Sequence, residues 1–126
     1  MPKSNPKILL VEDDVALRDA FTIILGTQPY TLDVAANGQE ALERCTESTY
    51  DIILLDLMMP VLDGVGFLHE ADLSETAPST RIIIMSNLSS GDAITEALSL
   101  GAHRQVVKSS LSPKDLIALV ADELKK

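Results

Sequence analysis

The chain has 126 residues, 46% apolar and 3% aromatic, with a formal charge of −9 at neutral pH. That length suits one domain with one aliphatic core, and the acidic balance argues against nucleic-acid or anionic-membrane binding by the domain itself. A single cysteine, Cys45, excludes an internal disulfide; with a polar start over Met1–Lys7 and no membrane-length apolar run, the expectation is a soluble cytoplasmic domain.

Five apolar stretches alternate with five helical patterns. Ile8-Leu9-Leu10-Val11 reads as the first strand and ends on Glu12-Asp13-Asp14. Leu17, Ala20, Phe21 and Ile24 follow at helical spacing until Gly26–Pro29 stops them. Leu32-Asp33-Val34-Ala35 alternates, as an edge strand does. Asn37-Gly38 opens a second helix with Ala41, Leu42 and Cys45 inward. Ile52-Ile53-Leu54-Leu55 is a strand buried on both faces, because it does not alternate with polar residues. It ends on Asp56, and Pro60 blocks extension.

Asp63-Gly64 begins a third helix carrying Phe67, Leu68 and Ala71, and Ala77-Pro78-Ser79 breaks the chain. Arg81–Ser86 is a fourth, buried strand ending on a hydroxyl. Ser89-Ser90-Gly91-Asp92 opens a fourth helix through Ile94, Ala97 and Leu98, with Gly101 as its stop. Gln105-Val106-Val107 is a short fifth strand ending on Lys108. Ser112-Pro113 starts the last helix, lined by Leu116, Ile117, Val120 and Leu124. This alternation implies a parallel sheet with helices on both faces. Periodicity does not give the strand order.

Parallel strands bring their carboxyl ends to one edge, so Glu12 and Asp13, Asp56, Ser86 and Lys108 can converge. Two carboxylates about 4 Å apart repel by roughly 4 kcal/mol at an effective dielectric near 20. Three therefore need a proton or a cation. Oxygen ligands without nearby cysteine or histidine suit Mg²⁺ or Mn²⁺. A divalent ion with a lysine attracts a phosphoryl group, and a carboxylate there can act as nucleophile and form an acyl phosphate. Taken singly these residues have plainer readings. Asp56 and Asp14 could cap helices, Lys108 could be solvated, and Met58, Met59 and Met85 could be packing. Asp51 and Asp63 read as turn or helix-start residues, and His69 and His103 as surface histidines. The shared position at strand ends outweighs the plain readings of Asp56 and Lys108.

The pattern resembles the receiver domain of bacterial two-component response regulators over about residues 6 to 125. The matching motifs are Ile8–Asp14, Asp56-Leu57-Met58-Met59-Pro60 with Asp63-Gly64, Ser86, and Gly101-Ala102 leading to Lys108. The resemblance implies a flavodoxin-like (βα)5 three-layer sandwich with a five-stranded parallel sheet of order 2-1-3-4-5. One receiver domain is expected over residues 1–126, core about 6–125, with no output domain in this chain, whether a stand-alone regulator or a piece of a longer protein. It implies that Asp56 accepts a phosphoryl group from a histidine kinase or phosphotransfer protein. Asp13 would bind Mg²⁺ directly, Glu12 mainly through water, and the Met58 carbonyl would be a further ligand beside Asp56. Lys108 and Ser86 would contact the phosphoryl oxygens. The fourth helix, fifth strand and last helix would form the face read by an effector protein or output domain. Catalysis would be limited to the domain's own phosphorylation and dephosphorylation.

Three positions depart from the family pattern. Gln105 stands where an aromatic switch residue usually turns inward with the strand-four hydroxyl, and burying its amide requires hydrogen-bond partners. The signal is then expected to take another path through Leu88 and the strand-four loop, or to be weaker. Ser109 replaces the usual proline after the lysine, so a trans peptide is expected. Met58 and Asn87 occupy the positions that tune acyl-phosphate lifetime, and Met58 cannot hydrogen-bond an attacking water. Among rivals, an aspartate-nucleophile phosphatase of the haloacid-dehalogenase type would want an acid at Met58. A flavin-binding domain lacks its phosphate-cradling loop. A receiver-like interaction module that is never phosphorylated is kept open by Gln105.

Overall fold

The computed structural model describes residues 5–87 and 91–126; Leu88, Ser89 and Ser90, invoked above, lie outside them. The chain runs β1 (Lys7–Val11), α1 (Val15–Leu25), β2 (Thr31–Ala35), α2 (Gly38–Glu47), β3 (Ile52–Asp56), α3 (Gly64–Ala71) and α4 (Leu73–Thr76). It continues through β4 (Arg81–Ser86), α5 (Gly91–Ser99), β5 (Arg104–Val107), a 3₁₀ turn (Lys108–Ser110) and α6 (Pro113–Leu124). All strand pairs are parallel, in the order β2-β1-β3-β4-β5. This is the flavodoxin-like order that the resemblance implied.

Strand parity sorts the core into two halves. Leu9, Val11, Ile53, Leu55, Ile82 and Ile84 face one way and pack with Ala41, Phe67, Leu68 and Ala97. Ile8, Leu10, Ile52, Leu54, Ile83 and Met85 face the other way and pack with Phe21, Leu25, Leu116, Leu119 and Val120. Successive strand residues point to opposite faces, so a continuous aliphatic strand needs helices on both sides. Each fully buried Leu or Ile contributes about 1.5–3 kcal/mol, which makes β1, β3 and β4 the rigid centre. Edge strand β2 is only partly buried, as its alternation predicts.

The helix signals act locally as expected. Asn37 and Asp63 cap α2 and α3 through side-chain acceptors. Ser112 caps α6 in a reciprocal box with Asp115, with Pro113 in the first turn. Gly101 has φ +109, a left-handed conformation that glycine adopts without a Cβ penalty.

The structure refines three sequence expectations. The third helix is two pieces, because Asp72 takes a left-handed φ of 48° between α3 and the single-turn α4. Neither glycine nor proline marks that break. Ala20 is exposed, and Leu25 takes the buried place in α1. Leu98 is 45% exposed, and Ala97 carries the inward contact of α5.

Candidate functional site at the carboxyl edge of the sheet

Register places the proposed groups side by side. Val11 pairs with Leu55, Asp56 with Met85, and Ser86 with Val107, so β1, β3, β4 and β5 finish together. The acids follow β1 and end β3, Ser86 ends β4, and Lys108 opens the 3₁₀ turn after β5.

Glu12 is fully buried and held on every side. Its N–H donates to the Ala35 carbonyl at 3.0 Å, extending the β1–β2 ladder. Its Oε2 accepts the Asp14 N–H at 3.1 Å, and its Oε1 accepts from Lys108 Nζ at 3.0 Å. Its backbone carbonyl accepts from Arg18 Nη1 at 2.9 Å. Asp13 is half-buried. Asp14 is exposed and accepts the Leu17 N–H at 3.0 Å, capping α1. The cap reading of Asp14 therefore holds.

Asp56 is 3% exposed. One carboxylate oxygen accepts the Met58 N–H at 3.3 Å, and the other lies 3.2 Å from Lys108 Nζ. Carboxylate oxygens of Glu12, Asp13 and Asp56 lie within 4.8 Å of one another. Burial first, then the charge of Glu12, pushes the Asp56 carboxyl up to about 7, against the opposing pull of Lys108. Burial is also the largest influence on Lys108 and favours its neutral form. The Glu12 hydrogen bond and the charges of Asp56 and Glu12 together outweigh it and raise its pKa, so the ammonium persists. One lysine thus bridges two of three crowded acids. Among the described residues no cation bridges Asp13. An all-oxygen cluster with this residual repulsion fits a hard divalent cation.

Ser86 is 1% exposed, and among the described residues its Oγ has no hydrogen-bond partner. A buried hydroxyl without a partner costs about 1–3 kcal/mol, which favours an acceptor brought to it. Met58, at 63% exposed, stands on the rim, and Asn87 is exposed beside the end of β4. Gln105 is exposed on β5, opposite Ile84. Among the described residues every peptide bond is trans, including that before Ser109.

The β3–α3 loop is tightly built. The Leu62 N–H donates to the Pro60 carbonyl at 2.8 Å around Val61, whose φ is 69°. This is a γ-turn of the strained left-handed kind, unusual for a β-branched residue. Gly64 lies against the site: a Cβ there would stand 2.5 Å from the Asp56 carbonyl oxygen. Sequence reading missed Arg18, Val61 and the buried Glu123. A basic residue on the first helix was the available signal for Arg18.

Acids gathered at the carboxyl edge of a doubly wound parallel sheet, bridged by a lysine, mark a signalling α/β domain of the receiver class. The chain belongs to the response regulator receiver domain family, whose model matches residues 8–121. It is 32% identical over 98% of its length to a probable transcriptional regulator ycf27 of Guillardia theta, covering 47% of that protein. It is 31% identical over 93% of its length to the transcriptional regulatory protein ResD of Bacillus subtilis, again covering 47%. The chain thus spans about half the length of these curated relatives. A CheY-like receiver domain from Methanospirillum hungatei superposes with a TM-score of 0.88 at 26% identity, over 97% of this chain and 95% of that one. The receiver domain of Francisella response regulator 1452 gives a TM-score of 0.79 at 31% identity, over 96% and 98%. No helix among the described residues is long and apolar enough to cross a membrane.

Proposed function

We propose that this domain is a phosphorylation-controlled switch in which Asp56 accepts a phosphoryl group from a histidine kinase or phosphotransfer protein. The observation that carries the reading is a buried Asp56 carboxylate beside a lysine that also holds Glu12. An Asp56 oxygen attacks phosphorus, an O–P bond forms, and the donor's P–N bond breaks with its electron pair returning to the imidazole. Hydrolysis reverses the gain: water adds to phosphorus, and Asp56 recovers its carboxylate as inorganic phosphate leaves.

Asp13, Asp56 and the Met58 carbonyl would hold Mg²⁺, or Mn²⁺, with Glu12 acting mainly through water because both its oxygens already accept hydrogen bonds. Such an ion supplies Lewis-acid stabilisation of the charge on the transferring group. Lys108 offsets the same charge from the other side, and the Ser86 hydroxyl, without a partner among the described residues, donates to a phosphoryl oxygen once it arrives. Loss of that donor's freedom biases the end of β4, and the face of α5, β5 and α6 is read by an effector or output domain. Exposed Gln105 supports a signal path that does not bury a β5 ring. Met58 and Asn87 set the lifetime of the acyl phosphate. The 126 residues make up the receiver unit of this switch.

The test is Mg²⁺-dependent labelling of the whole chain by a small phosphodonor, wild type against Asp56→Asn. Labelling confined to wild type is expected. Equal labelling of both overturns the assignment, and labelling of neither favours an interaction module that is not phosphorylated.

A further inference from the structure

We propose that Arg18 is a positioning residue for the acidic site, acting through the Glu12 backbone carbonyl; the inference rests on Glu12 and Asp13 serving a divalent cation. Arg18 lies in α1, six positions beyond Glu12, and its Nη1 reaches back across the β1–α1 turn to donate to that carbonyl at 2.9 Å. The carbonyl belongs to the peptide joining Glu12 to Asp13. A planar peptide has few ways to turn, so gripping its oxygen fixes ψ of Glu12 and φ of Asp13 together. Those two angles set the relative aim of the two side chains.

The rest of the turn shows why this grip matters. Glu12 is anchored at its N–H by Ala35 and at its carboxylate by Lys108 and the Asp14 N–H. Asp14 is anchored by its own cap on Leu17. Half-buried Asp13 has no cation bridging it among the described residues, so the peptide on its amino side is what holds its direction. Arg18 is the one side chain recorded on that peptide's oxygen among the described residues. The carbonyl also lies just past the end of β1, where the sheet no longer supplies a donor. Without Arg18 it would turn toward water, and Asp13 would turn with it.

Partners that orient metal ligands typically carry about 10–100-fold in affinity. Calorimetric titration of the whole chain with MgCl₂ tests the proposal. Arg18→Met, which keeps the apolar stem and removes every donor, is expected to weaken Mg²⁺ about tenfold, and Arg18→Lys to recover part of the loss. Arg18→Gln replaces the methionine variant should that one not fold. Arg81→Met, at the opposite edge of the sheet, serves as a control that disturbs an arginine ion pair and leaves Mg²⁺ affinity unchanged. Arg18→Met binding within about twofold of wild type overturns the proposal, as does equal weakening by Arg81→Met. Wild type that takes up no Mg²⁺ overturns the metal reading beneath it, an outcome separate from either.

Discussion

Replacing Lys108 by methionine isolates what the lysine does for the folded state. Its Nζ stands 3.0 Å from Glu12 and 3.2 Å from Asp56, and its side chain is 14% exposed. At an effective dielectric near 20 each attraction is worth about 5 kcal/mol before solvation is counted. Desolvating three charges takes back most of that sum. Removing one partner of a buried ionic cluster costs about 3–5 kcal/mol, because the charges left behind are uncompensated. The remaining exposure of Lys108 places it at the lower end, about 3 kcal/mol, or roughly 12 °C in melting temperature for a chain of this size. Methionine keeps the stem's volume, so little of the loss is cavity. Urea unfolding of wild type and Lys108→Met should show this loss in EDTA and a smaller one in MgCl₂, where a cation takes over the task. A variant as stable as wild type in EDTA would refute the reasoning. So would a magnesium effect of equal size in both proteins.

Two further outcomes are expected. Met58→Asn puts an amide able to orient water on the exposed rim beside Asp56. Labelled protein should then lose phosphate about threefold faster or more, on the order of 0.7 kcal/mol in the barrier, and unchanged decay would sink the lifetime role of Met58. His103 accepts the Ile82 N–H at Nδ1 (3.0 Å), and burial, then the charge of Arg81, lowers its pKa while Glu123 opposes them. Arg104 adjoins it in sequence and carries a further positive charge. A histidine pKa below its ordinary value gives stability that is present above about pH 6.5 and lost as pH falls through the folded value. His103→Asn keeps an acceptor that does not titrate. Its urea midpoint should therefore fall less than that of wild type between about pH 7 and pH 5, and parallel slopes would count against the argument.

The legible parts of this chain were those governed by one dominant force. Ile52–Leu55 and Ile82–Met85 announce burial on both faces because no polar residue interrupts them, and both runs are buried throughout, as is Ile8–Val11. Asp56 taken alone reads as a turn residue, and only the acids, hydroxyl and lysine at the other strand ends single it out. Helix faces were less clear. Ala20 and Leu98 share the helical stripe with truly buried residues, and a stripe is wide enough to leave its margins in water. Glu123 continues the spacing of Leu116, Leu119 and Val120, yet an acid in a helix usually reads as solvated. It is fully buried because Arg81 reaches it from β4 at 2.7 Å, a contact between residues 42 positions apart. Arg18 was missed for a related reason: its partner is a backbone oxygen, and every residue offers one.

The Glu123 cluster gives the sheet two unlike ends. At the amino edge Arg81 and Arg104 gather around Glu123 and Asp122, so acids and bases there are matched in charge. At the carboxyl edge Glu12, Asp13 and Asp56 are met by one lysine and left unfinished. The molecule is therefore polarised along its strands. One end carries paired charges of both signs, and the other carries more acid than base.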